Sequence, residues 1–322
     1  MSVDKFVAAL PSGIGPGAKW HKVDFHVHAP SSTDYEYKGG DAIEKLGKSL
    51  SEGHYSMAVV LKHQEFPTPT EIAALRAYCP STTLLPGAEI NVVVDALFKK
   101  IGKDYFFHCI LAVDPDAGDY GYVLRRAREQ FTYRDSDYPA GFRSSVLDLG
   151  RFFRDQGALF IPAHLHQSKS PAHSRSIDDL YDDDAFLGFV SDGAFDALEV
   201  RQLTTAAFFD GTRKTPDDLT IPPSACVASS DAHHHEHLAE RSRATWVRME
   251  TPSFRELGAA LSFRHRVSLT APPVEHARIL GLHVVGAFVP DTWLQFNEGL
   301  NAFIGSKGSG KTALLVLCPI NE

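Results

Sequence analysis

Val23-Asp24-Phe25-His26-Val27-His28 is the stretch from which the rest of the chain is read. It is a short apolar run with a polar residue at every second position, and it ends in His-x-His. On a strand, residues i and i+2 point to the same side, so His26 and His28 share a face. Three further apolar runs end in the same manner, at Leu61-Lys62-His63, Pro162-Ala163-His164 and Asp231-Ala232-His233. Between them lie Glu89, in Leu85-Pro86-Gly87-Ala88-Glu89, and His108, in Phe106-Phe107-His108. A single histidine is better read as structural or solvated. A succession of histidines and carboxylates at strand ends is how separate strands bring metal ligands to one rim. Imidazole and carboxylate donors together suit Zn²⁺, Mn²⁺ or Fe²⁺ better than Mg²⁺ or Ca²⁺.

Apolar runs with strand character recur over Val23–His28, Ser56–His63, Thr83–Ile90, Tyr105–Val113, Ala158–His164, Phe195–Val200, Ala225–Ser230 and Thr245–Met249. Helical patterns fall between several of them, at Asp41–Glu52, Thr70–Tyr78, Ser145–Gln156 and Phe254–Phe263. Alternation of this kind predicts an α/β fold with a parallel sheet, and its length suits a (β/α) barrel better than an open sheet. The polar stretches 115–144 and 165–194 read as long loops, which at a barrel mouth shape a substrate site. Residues 1–19 read as a lead-in, 20–272 as the main domain, and 279–322 as a separate segment after Pro272-Pro273.

The totals are those of a globular protein, with 43% hydrophobic and 22% charged residues. The formal net charge of −8 gives no overall basic footprint for nucleic acid, although a local groove could still be basic. The four cysteines are scattered without a C-x-x-C pair and read as reduced core residues. With no convincing signal peptide and no apolar run of membrane-spanning length, a soluble cytoplasmic protein is expected.

The order His-x-His, His63, Pro-Gly-x-Glu, a strand histidine, Pro-Ala-His and Ser230-Asp231-Ala232-His233 resembles the PHP (polymerase and histidinol phosphatase) superfamily over about residues 20–270. The resemblance implies a distorted (β/α)7 TIM-like barrel and a centre of two or three divalent metal ions that hydrolyses phosphoesters. It places His26, His28, Glu89 and Asp231 on one metal. Glu89 would bridge to a second, completed by His108 and His164, and Asp34, His63 and His233 would hold a third. Glu89 and His63 are the candidate catalytic residues. Leu61-Lys62-His63 departs from the family's usual Thr-Asp-His, so Lys62 either weakens the third site or binds substrate phosphate. Apart from the resemblance, Arg143, Lys169 and Arg201 could clamp a phosphate at the barrel mouth, but a solvated or paired surface role is the better reading for each. The amidohydrolase class also opens on His-x-His, but it closes on a lone Asp; the early Glu89 and the Asp-x-His close favour PHP.

Gly305-Ser306-Lys307-Gly308-Ser309-Gly310-Lys311-Thr312 is a complete G-x-x-x-x-G-K-[ST] motif. It follows an apolar run, Ala302-Phe303-Ile304, which is expected to be a strand, and precedes a helix-prone run. Phe296–Asn301 resembles the approach to the ATPase head of SMC- and RecN-like proteins, and the combination is similar to PHP–ATPase fusions called TrlF-like. Gly305, Gly308, Gly310, Lys311 and Thr312 would then bind ATP and Mg²⁺, but only within a complete ATPase domain. No ATPase activity is expected of this chain alone. The main reading is metal-dependent hydrolysis of a phosphoester, with nucleic acid or a nucleotide favoured as substrate. The alternative is a metal-stabilised docking or regulatory domain without catalysis.

Overall fold

Strand β1 (Lys19–His28) opens a mixed α/β fold in the computed structural model. The structure describes residues 17–93, 106–135, 140–165, 188, 190–201, 203–212, 214, 220–240, 243–272, 279–286, 290–297 and 301–316. Helix α1 (Ala42–Glu52) follows, burying Ala42, Leu46, Gly47 and Leu50 along one stripe. Strand β2 (Met57–His63) then lies parallel to β1. Helix α2 (Pro69–Arg76) starts on Thr68, whose hydroxyl accepts the Glu71 N–H at 3.2 Å, with Pro69 at the first position, where no N–H is needed. Strand β3 (Thr83–Val93) is parallel to β2, and the register sets His63 directly beside Glu89.

Strand β4 (Phe106–Ala112) runs antiparallel to β3 and departs from the expected parallel order. Only residues 94–105 separate the two strands. That connection lies outside the described residues. The stretch 115–144, expected to be loop, contains helix α3 (Gly121–Gln130), strand β5 (Tyr133–Arg134) and strand β6 (Gly141–Phe142). Helix α3 buries only Val123, Leu124 and Ala127. So narrow an apolar stripe among Arg125, Arg126 and Arg128 leaves little periodic signal. Helix α4 (Val146–Asp155) is capped by Ser145 and leads to β7 (Leu159–Pro162), antiparallel to β4 and therefore aligned with β3.

Next come β8 (Leu198–Glu199), α5 (Leu203–Phe208), β9 (Cys226–Val227), α6 (His237–Glu240), β10 (Thr245–Met249), α7 (Phe254–Leu261) and β11 (Val267–Ser268). The principal sheet has the order β11-β10-β1-β2-β3-β4-β7, and β8 pairs with β9 in parallel as a separate ladder. Main-chain bonds tie that pair to its surroundings. Asp196 N–H donates to Phe160 O at 2.9 Å and Leu165 N–H to Glu199 O at 2.9 Å. After β9 the chain returns to β1, where His28 N–H donates to Ala232 O at 2.9 Å. One core centres on Phe142, Phe153 and Phe160 under α3 and α4, and another packs Leu46, Leu50, Ile72 and Leu75 against β1 and β2. Cys79, Cys109 and Cys226 are buried and unpaired; Cys318 lies outside the described residues.

The chain divides into a larger unit, Trp20–Arg248 with Pro252–Pro272, and a smaller one that includes Met249–Thr251 and the described residues from 279 onward. In the smaller unit β12 (Gly281–Val284) and β13 (Thr292–Gln295) pair antiparallel, and helix α8 (Lys311–Val316) follows the glycine-rich motif. The strand expected at 302–304 is not formed, and Ile304 is 93% exposed. The described residues supply no neighbouring strand there to pair with that run. No helix among the described residues is long and apolar enough to cross a membrane.

Candidate metal centre

Glu89 lies at the centre of the site, and the sheet register explains why. In β2 and β3 the side chains of His63 and Glu89 occupy paired positions, and His63 Nδ1 is 3.2 Å from Glu89 Oε2. β1 contributes His26 Nε2 at 3.6 Å from Oε1 and His28 Nε2 at 3.5 Å from Oε2. His108 contacts Oε1 through Nδ1. It stands near the start of β4 rather than at its end, because the reversed strand presents its N-terminal part to the rim that holds the C-terminal ends of β1 and β2. His164 follows β7 and brings Nε2 to 3.4 Å from Oε1.

A second focus is Asp34, in the segment after β1. Its Oδ2 lies 2.8 Å from His63 Nε2 and 2.7 Å from His233 Nε2, and its Oδ1 lies 3.3 Å from His28 Nδ1. The His28 and His233 rings stack with centroids 3.9 Å apart. Asp231 joins from the other side, with Oδ1 at 3.5 Å from His26 Nε2. All of the metal ligands expected from the sequence are therefore brought into one cluster.

Four overlapping groups have donor atoms within 4.8 Å of one another: His28, Asp34, His63 and His233; His26, His164 and Asp231; His26, His28 and Glu89; and Glu89, His108 and His164. His28 differs from the expected partition by facing both the Asp34 group and Glu89.

Local backbone geometry aims these side chains. His164 (φ 61°) and Asp231 (φ 52°) adopt left-handed conformations that residues with a Cβ usually avoid, as does Gln64 (φ 60°) just after His63. Each ends its strand abruptly at the rim. Flanking main-chain bonds hold the turns: Gln64 N–H to Glu89 O at 2.8 Å, and Ala232 N–H to His26 O at 3.2 Å.

The electrostatics of the cluster fit a cation. Burial alone would raise the Glu89 carboxyl, but the facing His108 and His26 imidazoles hold it well below its ordinary range. Asp34 is likewise lowered, against its burial, by hydrogen bonds from His233, His28 and His63. Asp231 is also lowered, by His26 and His164. Burial pushes His28 down to about 4, so its imidazole is neutral and has a lone pair to give. Burial opposes protonation of His26 too, but Glu199, Glu89 and Asp231 together raise it well above its ordinary value. Ionised carboxylates among buried imidazoles form a donor set that a divalent cation satisfies.

Lys62 is not among these groups. It alternates with His63 on β2 and forms an ion pair with Glu65. Arg201 reaches the site, but its Nη2 lies 2.8 Å from Asp231 Oδ2, so its charge already faces a carboxylate. Lys169 lies outside the described residues. In the smaller unit Lys311 folds back on its own loop, donating to Gly305 O at 2.7 Å and Ser306 O at 2.6 Å. Gly308 (φ 86°) and Gly310 (φ 85°) take conformations that glycine favours, and Thr312 stands in α8.

Two buried acids went unassigned in the sequence. Asp24 is fully buried and accepts N–H bonds from His26 at 3.0 Å and Ser230 at 3.2 Å, which tie β1 to the Asp231 turn. Its position two residues before His26, on the same strand face, was the available signal. Glu199, in the apolar run Ala197-Leu198-Glu199-Val200, faces His26 Nδ1 at 3.2 Å.

No family model and no curated protein matches this chain. Among solved structures it is similar to the lesion-specific endonuclease PfuEndoQ from Pyrococcus furiosus. That likeness has 15% identity, 76% of this chain, 56% of the other and a TM-score of 0.46. It thus spans little more than half of the endonuclease's length. A candidate metal-dependent phosphoesterase from Bifidobacterium adolescentis is similar at 15% identity, with 70% and 90% of the two chains covered and a TM-score of 0.39. PsfC from Pseudomonas syringae is similar at 14% identity, with 74% and 87% covered and a TM-score of 0.41.

Proposed function

We propose that residues 20–272 form a PHP-type domain with a TIM-like barrel, and that it is a metal-dependent phosphoesterase. The observation that carries this reading is the convergence of His26, His28, His63, His108 and His164 on the single carboxylate of Glu89. Two or three divalent ions, Zn²⁺, Mn²⁺ or Fe²⁺, would be held by the overlapping groups. When bound, they supply Lewis acidity toward phosphoryl oxygens and lower the pKa of water.

The chain's own residues do the rest. Glu89, nearly fully buried, turns Oε1 to His26, His108 and His164 and Oε2 to His28 and His63, and would be the ligand shared between ions. Asp34 and Asp231 add negative charge at the two sides of the cluster. His63, 28% exposed at its side chain, and a loop histidine are the two candidates for protonating the departing alkoxide, His63 only where it is not itself a ligand. Arg201, paired with Asp231 at 2.8 Å, would meet a substrate phosphate only by giving up that carboxylate.

Nucleic acid or a nucleotide is the favoured substrate. That preference rests on the glycine-rich motif 305–312, read as the beginning of an SMC- or RecN-like ATPase domain, and is an analogy of domain company rather than site chemistry. ATP and Mg²⁺ would be bound through Lys311 and Thr312 only in such a completed domain.

The test compares hydrolysis of a chromogenic phosphomonoester and a dinucleotide by the wild type and by His26→Ala, with Mn²⁺ or Zn²⁺. Metal-dependent turnover lost in the variant supports the reading. Stoichiometric metal without turnover on either substrate would replace it with a docking domain.

A further inference from the structure

Glu199 lies on the far side of the imidazoles from the ligand cluster. Its residue is 3% exposed. His26 Nδ1 is 3.2 Å from Oε1 and 3.4 Å from Oε2, while His164 Nδ1 is 3.4 Å from Oε2. The main-chain N–H of His164 also donates to Oε2, at 3.1 Å. One carboxylate thus faces the Nδ1 atoms of two imidazoles whose Nε2 atoms both point to Glu89 Oε1, at 3.6 and 3.4 Å. Its own backbone is fixed on both sides. Leu198 N–H donates to Ala225 O at 2.9 Å, Val200 N–H to Val227 O at 2.8 Å, and Glu199 O accepts Leu165 N–H at 2.9 Å.

We infer that Glu199 is a positioning residue: it accepts from Nδ1–H of His26 and from the main-chain N–H of His164 and stands 3.4 Å from His164 Nδ1, fixing both rings with Nε2 free to bind metal. The inference rests on the reading of the cluster as a metal centre. An imidazole has two nitrogens, and whichever one carries hydrogen cannot ligate. A carboxylate on Nδ1 selects the productive tautomer, sets the ring plane and raises the basicity of Nε2. Sharing one carboxylate between two rings couples them, so losing it frees both at once. His164, in its left-handed turn, depends on Glu199 for its main-chain N–H as well, so ring and backbone are set by the same acid.

The expected effect is local. Glu199 belongs to the His26, His164 and Asp231 side of the cluster, and the His28, Asp34, His63 and His233 group does not touch it. Glu199→Gln keeps the shape and removes the charge. Metal affinity measured by chelator competition with Mn²⁺ and with Zn²⁺ should fall about 10- to 100-fold for the ion on that side. The ion on the Asp34 side should keep its affinity, identified as the one lost in Asp34→Ala. An acid that merely ties β8 to β1 would leave both affinities in place, or lower both together, and either result overturns the inference.

A second measurement needs no variant. Long-range ¹⁵N–¹H correlation of histidine-labelled, zinc-loaded wild type should show His26 and His164 with hydrogen on Nδ1 and metal on Nε2. Hydrogen on Nε2 of either ring overturns it. If the wild type takes up no divalent ion at all, the metal-centre reading falls first. If the wild type binds ions and Glu199→Gln binds them equally well, only the role given to Glu199 falls.

Discussion

Stripping divalent ions from the protein is expected to lower the thermal midpoint of the larger unit by about 10 °C or more. The donor groups set the number of ions. His28, Asp34, His63 and His233 share no residue with Glu89, His108 and His164, so two ions can be held without a common ligand. Each ion, at a concentration ~100-fold above its Kd, stabilises the folded state by about 2.7 kcal/mol. For a domain of this size 1 kcal/mol moves the midpoint by roughly 2–4 °C, giving about 11–22 °C for two ions. The lower end is expected because the metal-free cluster is already partly satisfied: Glu89 and Asp34 pair with the imidazoles that would otherwise ligate. Scanning calorimetry or fluorimetry in chelator, then in excess Mn²⁺ or Zn²⁺, measures the shift. Equilibrium dialysis counts the ions. Midpoints that coincide, together with less than one ion retained per chain, would refute the reasoning.

Glu89→Gln removes the only carboxylate of two donor groups. Metal-supported hydrolysis should fall by more than about 100-fold, beyond what loss of an outer-shell partner costs, with ion stoichiometry reduced in the same dialysis. Asp34→Ala deprives His28, His63 and His233 of their shared carboxylate and should lower the stoichiometry by one ion while the Glu89, His108 and His164 group keeps its own; elemental analysis after dialysis decides it. Gly150→Ala probes the scaffold instead. A Cβ there would meet Ala194 O at 2.1 Å and Phe160 Cδ1 at 3.0 Å. Alanine gains ~1 kcal/mol of helix propensity, but pushing α4 off its neighbours costs about 1–3 kcal/mol or more. Net destabilisation in urea with unchanged ion stoichiometry is expected, and a more stable variant would contradict that packing.

Legibility in the sequence followed periodicity. β1 alternates from Val23 onward, β2 is a continuous apolar run, and both end in ligands, so their rim could be read directly; Thr68, Ser145 and Ser253 precede helices, and their hydroxyls accept N–H bonds from Glu71, Asp148 and Glu256. Helix α3 was missed because three apolar residues in a charged segment make a weak stripe. The direction of β4 was missed because periodicity is the same in either direction, and a connection of that length suits either one. Asp24 keeps the period-two spacing with His26, but spacing alone does not name the two N–H groups it accepts from. Glu199 was not assigned because a single acid in an apolar run has no spacing of its own, and its meaning comes from the two rings that face it in three dimensions.

The centre is assembled from departures from the regular sheet rather than from the sheet itself. A uniformly parallel order would carry His108 toward the opposite rim, since it stands near the start of β4; the reversal of that strand brings it to Glu89. Ideal extended backbone at His164 and Asp231 would continue the strands past the rim; their left-handed turns aim both side chains back over it. Each such turn costs on the order of 1 kcal/mol. The flanking bonds to Glu199 O, His26 O and Glu89 O hold the turns. Main-chain bonds and side-chain pairing thus aim the donors at one rim. The pairing of these buried histidines and carboxylates offsets the cost of taking them out of water, and the same atoms are the donors a cation would use.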